Sequence, residues 1–170
     1  GLDRAMAQLT PETAESAAAV AEAAELALYK FTDFKPDANH TPFKSLTICV
    51  SPKADVDALK VAARRAQVVA DASNFARSIG NLPGNVVYPA TLADRARDLA
   101  KECGLKCTVL DCRALEAGHF GGLLAVGGGS AREPHLIALE YHGAGKDQKP
   151  VALVGKGITF DTGGISIKHA

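Results

Sequence analysis

Three side chains toward the end of this sequence, Lys156, Asp161 and Lys168, have the types and spacing that chemistry needs. They stand in a glycine-rich run, residues 155–168, directly after the apolar stretch 151–154, which reads as a short strand. Gly155, Gly157, Gly163 and Gly164 let the backbone approach a ligand or a neighbouring strand closely. A lysine at the end of a buried strand must either reach water or be held by something that tolerates an amine, and a metal ion is such a partner. The carboxylate of Asp161, five residues on, can bridge two ions, and Lys168 can set a positive charge against a developing oxyanion.

The full string is Val154-Gly155-Lys156-Gly157-Ile158-Thr159-Phe160-Asp161-Thr162-Gly163-Gly164-Ile165-Ser166-Ile167-Lys168. It resembles the strand-end motif of the leucyl aminopeptidases, the dinuclear-metal exopeptidases of the M17 family. Asn81-Leu82-Pro83-Gly84-Asn85 followed by Pro89, and the run Leu136-Ile137-Ala138-Leu139-Glu140-Tyr141, resemble that family's approach to its catalytic domain and one of its early strands. The resemblance implies that Lys156 binds one metal, that Asp161 is shared by two, and that Lys168 is the catalytic cation. It implies two divalent ions, zinc or manganese, with magnesium and cobalt as further options. It also implies peptide substrates with a free N-terminus, leucine-like residues preferred, cleaved by attack of a metal-activated water. A cytoplasmic hexamer is implied as well. Lys156 would have to bind as a neutral amine. His169 stands where many members have proline, outside the three chemical positions. An ordinary strand-turn-strand with surface charges is the competing account, because a lone Lys-x4-Asp arises often by chance; the length of the matching string decides against it.

The same resemblance implies that further acidic metal ligands, and an arginine that holds an anion, lie beyond residue 170. The sequence is therefore expected to be a piece of a longer chain and inactive alone. Residues 1–52 read as the C-terminal portion of an N-terminal α/β, macro-like domain, 53–80 as a linker helix, and 81–170 as the first part of a mixed-sheet α/β catalytic domain. Within this α/β class a helix is expected over 10–30, with Pro11 in its first turn, then an exposed loop over 32–45 and a strand over 46–50. No Gly or Pro interrupts 54–79, which reads as one long helix, and another is expected over 90–103, closed by Gly104. Strands are expected over 106–110, 122–126, 135–141 and 151–154, with a short helix over 112–117. The Gly127-Gly128-Gly129-Ser130 run reads as a turn between neighbouring strands, too short for a parallel crossover.

The 170 residues carry 19 basic and 19 acidic side chains, so no net field draws the chain to nucleic acid or to an anionic membrane. No apolar stretch approaches the roughly 18 residues of a membrane span. Cys49, Cys103, Cys107 and Cys112 match no common zinc spacing and read as reduced thiols, which fits a reducing compartment. Gly155-Lys156 is not a phosphate loop, because Pro150 stands where that motif needs glycine and Gly157 where it needs Ser or Thr. His119, His135 and His142 are candidate ligands by type, but none is paired at metal spacing. Two other functional classes stay open: an inactive homologue serving as an assembly or regulatory scaffold, and a small-molecule-binding α/β domain without chemistry. Downstream carboxylates would exclude the first, and metal bound at Lys156 and Asp161 the second.

Overall fold

The structure is a computed structural model that describes residues 3–35, 43–145, 147–161 and 165–168. Asn39 and His40 of the expected loop, Gly163, Gly164 and His169 lie outside the described residues. The chain divides into two units, Gly1–Asn81 and Leu82–Ala170.

In the first unit, strand β1 (Arg4–Gln8) pairs in parallel with β2 (Ser45–Cys49), Arg4 opposite Ser45 and Gln8 opposite Cys49. A parallel pair needs a crossover, and helix α1 (Ala14–Leu28) supplies it. The sequence gives no clear sign of β1, since its inward positions are Ala5 and Ala7, which have weak strand preference. Thr13 caps α1 by accepting from the Ser16 N–H at 3.2 Å, so Pro11 precedes the helix and does not sit in its first turn. Leu9, Ala17 and Leu59 form the core, with Val20, Ile48, Val50 and Ala54 packed against it.

The helix expected over 53–80 runs from Val56 to Asn81 (α2) and packs along α1 within this unit. Alanines are buried on both helices, Ala17 and Ala21 on α1 and Ala66 and Ala70 on α2, and such small side chains let helix axes approach. The far end of the pair is held by polar groups. Helix α1 has no basic residue in its last turn and ends without a left-handed cap, so its final carbonyls need partners from elsewhere. Helix α2 provides them: Asn74 Nδ2 donates to Glu25 O at 3.1 Å and Arg77 Nη1 to Leu26 O at 2.9 Å. The Arg77 guanidinium also lies 4.0 Å over the Tyr29 ring, whose hydroxyl receives Ser78 Oγ at 3.2 Å and Asn81 Nδ2 at 3.1 Å.

In the second unit, α3 (Pro89–Cys103) starts on a proline, whose missing N–H costs nothing there. Thr91 Oγ1 accepts from the Tyr88 N–H at 3.0 Å and donates to Val86 O at 2.9 Å, tying the helix start to the loop before it. Gly104 closes α3 with φ 66°, the left-handed conformation glycine adopts without strain. Strand β3 (Lys106–Leu110) then pairs antiparallel with β4 (Leu136–Glu140). At one end of this ladder Lys106 Nζ lies 2.8 Å from the Glu140 carboxylate, which the hydrogen bond and the charge together hold below its ordinary pKa. Between the strands lie α4 (Cys112–Ala117), capped by Asp111, and α5 (Gly121–Gly127).

Three expectations are corrected here. Residues 122–126 are helical within α5, because a short apolar run of Leu, Ala and Val carries no periodicity that separates helix from strand. Gly127 and Ser130 therefore connect a helix to β4 rather than two strands, with the Ser130 N–H donating to Gly127 O at 3.1 Å. Residues 151–154 form no strand; a strand needs a neighbour for its backbone groups, and among the described residues none pairs with this run. Its side chains are accordingly open, Leu153 at 95% and Val154 at 97%.

The helix latch predicts that Arg77→Ala destabilises the first unit by about 1–2 kcal/mol, through the lost ring contact and the carbonyl left without its donor. Tyr29→Phe, which keeps the ring, should cost less; urea unfolding followed by circular dichroism checks both. A second expectation concerns acid. The Glu12 carboxylate accepts from the Ser51 hydroxyl at 2.7 Å and from the Ser51 backbone N–H, and these bonds, the hydroxyl's first, hold its pKa below the ordinary 4.5. A carboxyl with a lower pKa folded than unfolded stabilises the fold above the unfolded value and loses that contribution as pH falls through the folded one. The stability difference between wild type and Glu12→Gln should therefore be full at neutral pH and fade below about pH 4.5.

Candidate active site

The segment that holds Lys156 and Asp161, residues 147–161, has no helix or strand, so its course depends on what it lies against. Two places in the second unit supply that surface. A Cβ built on Gly84 would meet Thr159 O and Phe160 Cδ2, each at 3.3 Å, and one on Gly157 would meet Leu92 Cδ2 at 4.0 Å. The loop leading into α3 and the first turn of that helix thus flank the approach to Asp161. The loop is itself tied down: the Val86 and Val87 N–H groups donate to Pro83 O at 2.9 and 3.0 Å, and Val87 is buried.

Of the three residues expected to do chemistry, the structure brings two together. Lys168 Nζ donates to Asp161 Oδ2 at 2.9 Å, forming an ion pair in which both side chains are more than half exposed. Lys156 is exposed on the same segment, five residues before Asp161. No Cβ contact restrains Gly155, so packing among the described residues does not demand glycine beside Lys156.

The other candidates fall elsewhere. His119 adopts a left-handed φ of 56° in the turn between α4 and α5, His135 Nδ1 lies 3.1 Å from Glu133 O, and His142 Nε2 lies 3.4 Å from the Glu140 carboxylate. Cys49, Cys103, Cys107 and Cys112 are free thiols. Among the described residues no three His, Cys, Asp or Glu side chains gather as a metal site. The Lys156 amine and Asp161 carboxylate fit a divalent ion in kind, as nitrogen and oxygen donors, with the carboxylate able to serve two ions. In number they fall short of the roughly four to six ligands such ions take.

One residue near this site has no signal in the sequence. Arg132, in the connection between α5 and β4, donates from Nη1 to Gly84 O at 2.9 Å and lies 3.9 Å over the Tyr88 ring. Its partners stand far back along the chain, and neither spacing nor composition points to them.

Comparison with known proteins agrees with this arrangement of motifs. Residues 74–170 match the catalytic domain of the cytosol aminopeptidase family, peptidase M17. The chain is 47% identical over 146 residues to a probable cytosol aminopeptidase of Syntrophotalea carbinolica, covering 84% of this chain and 29% of that protein. It is 47% identical over 142 residues to a probable cytosol aminopeptidase of Burkholderia mallei, covering 82% of this chain and 28% of that one. The chain thus spans less than a third of either relative. Among solved structures it is similar to the bottromycin maturation enzyme BotP in complex with Mn, with a TM-score of 0.65 and 33% identity over 76% of this chain and 26% of that one. BotP in a second structure gives a TM-score of 0.66.

Because the Lys168 and Asp161 side chains are 63% and 57% exposed, their ion pair contributes little to folding. Lys168→Met is expected to change the unfolding free energy by less than about 1 kcal/mol in urea denaturation. A larger loss would mean that the pair holds this segment in place, and that activity changes at Lys168 cannot be read as chemistry.

Proposed function

The chain belongs to the cytosol aminopeptidase family, and on that membership we propose that the whole protein is a metal-dependent aminopeptidase releasing N-terminal residues, leucine-like ones preferentially, from peptides. The observation that carries this reading is that the family match over 74–170 takes in Lys156, Asp161 and Lys168 together. The 2.9 Å pair between Asp161 and Lys168 supports it, since it sets a cation beside a carboxylate on an open segment.

In this reading Lys156 and Asp161 hold two divalent ions, and the remaining ligands come from the rest of the protein. Manganese is a reasonable occupant because BotP, a structural relative, is in complex with Mn; zinc, magnesium and cobalt suit the same donors. Bound there, the ions would supply Lewis acidity and a water activated near neutral pH. The chain's own groups do the rest. Asp161 would help to hold the ions through its carboxylate oxygens, and its negative charge would offset theirs. Lys156 would hold an ion through its Nζ nitrogen as a neutral amine, and it stands exposed on its segment. Lys168 keeps its proton and stabilises the negative charge that builds on the carbonyl oxygen of the peptide under attack.

Peptides with a free N-terminus are the substrate class, and the active form is a hexamer in the cytoplasm. Among the described residues no helix is long and apolar enough to cross a membrane, which is compatible with that location. Residues 1–170 alone are inactive in this reading, since one amine and one carboxylate leave both ions mostly to water and without fixed geometry.

Lys156→Ala and Asp161→Ala in the full-length protein should each lower leucine-amide hydrolysis at least about 100-fold, Asp161→Ala the more, because each removes a donor that the ions depend on. The measurement is steady-state turnover with excess manganese. Turnover by Asp161→Ala equal to wild type would falsify the assignment.

A further inference from the structure

Asp161 sits on backbone that no ladder or helix holds. The apolar side chains upstream of it are open, Val151 at 89% and Leu153 at 95%, so little of that stretch is anchored by burial. Just before Asp161 the segment passes close to Gly84, where an added Cβ would lie 3.3 Å from Thr159 O and Phe160 Cδ2. The Lys168 ammonium meets the carboxylate itself, and the approach at Gly84 helps to set the backbone that carries it.

Gly84 is held in turn from a distant part of the chain. Arg132 Nη1 donates to its carbonyl at 2.9 Å across a sequence separation of 48, while the guanidinium plane covers the Tyr88 ring at 3.9 Å. The Arg132 backbone N–H donates to Ser130 Oγ at 3.0 Å, which fixes the turn from which the side chain departs. One guanidinium thus grips both ends of the loop, the carbonyl at 84 by hydrogen bond and the ring at 88 by its face. Lysine could not do both, because an ammonium has neither a planar face to lay on the ring nor a second donor fixed relative to it.

We propose that Arg132 is a positioning residue for Asp161: by fixing Gly84 it fixes the surface on which Thr159 and Phe160 lie, and so the carboxylate that follows them. This rests on the reading of Asp161 as a metal ligand. Arg132 itself touches neither Asp161 nor a substrate in this account, and it acts through the loop. Its effect belongs in the order of the segment and in metal affinity.

The test uses the full-length protein, with amide hydrogen exchange over residues 156–161 measured without metal and manganese affinity measured by calorimetric titration. Arg132→Ala should raise exchange over 156–161 about 5- to 10-fold and weaken manganese binding by a similar factor, the scale of one lost ring contact plus one hydrogen bond. Arg132→Lys should recover only part of either, whereas Tyr88→Phe, which keeps the ring, should match wild type in both. Gly84→Val, which adds bulk beneath Phe160 and leaves Arg132 in place, should raise the same exchange and keeps the proposal testable if the arginine variants fold poorly. Exchange over 156–161 unchanged in both Arg132→Ala and Gly84→Val would overturn the proposal. Asp161→Asn separates it from the reading beneath it. Manganese affinity lost in Asp161→Asn but unaltered in Arg132→Ala would remove the positioning role alone, whereas wild-type affinity in Asp161→Asn would remove the metal assignment and the proposal with it.

Discussion

A carboxylate on irregular backbone has no geometry of its own, and Asp161 depends on what its segment lies against. In a strand or helix, backbone hydrogen bonds every residue or two would fix the Cα and leave only the side chain to settle. Here that role falls to contacts: Thr159 and Phe160 against Gly84, Gly157 opposite Leu92, and the Lys168 ammonium on the carboxylate itself. Each is weak alone, and the ion pair, being exposed, is weaker than its 2.9 Å suggests. A Cβ at Gly84 would lie 3.3 Å from the backbone oxygen at 159, so that oxygen would have to give by a few tenths of an ångström to admit one.

The first unit solves a comparable problem by a different route. Helix α1 ends without a glycine cap, and its last carbonyls would be left to solvent if α2 did not pass close by. The alanine-lined contact brings the helices near enough for Asn74 and Arg77 to reach those carbonyls. Close packing and polar satisfaction are thus one arrangement: replacing the alanines with larger residues would move the donors away from Glu25 O and Leu26 O. The same device recurs in the second unit, where Arg132 again joins a backbone carbonyl to an aromatic face. In both cases the arginine links segments roughly fifty positions apart.

What the sequence revealed, and what it did not, follows from the range of the interactions involved. The long helices α2 and α3 were legible because their signals are local: an uninterrupted periodic run for one, Pro89 and Gly104 at the ends of the other. The short apolar runs were not. Residues 122–126 are too few to show a period, and 151–154 would become a strand only by pairing with a neighbour, which no property of four residues can reveal. Strand β1 is hidden in the sequence for the opposite reason, since alanines at its inward positions carry the alternation without the β-branched residues that usually announce it. Lys156, Asp161 and Lys168 could be singled out as candidates because they stand in one continuous string that resembles a family motif. Arg132 could not, since its partners Gly84 and Tyr88 have no fixed spacing from it.

The pairing of Asp161 with Lys168 also says something about charge in the site. A carboxylate expected to sit between two divalent ions would, without them, be a negative charge with two oxygens to satisfy, and the nearby ammonium meets part of that need. If, as proposed, divalent ions were held at the carboxylate, their like charge would weaken its pairing with the ammonium and leave Lys168 available to negative charge elsewhere in the site. On the proposed reaction, that charge is the oxygen of the attacked peptide carbonyl. On that proposal one lysine would serve as counter-ion without the ions and as oxyanion partner with them, and its open position, at 63% exposure, would not require a packed core to rearrange. Burial would have fixed Lys168 in one of these roles at the expense of the other.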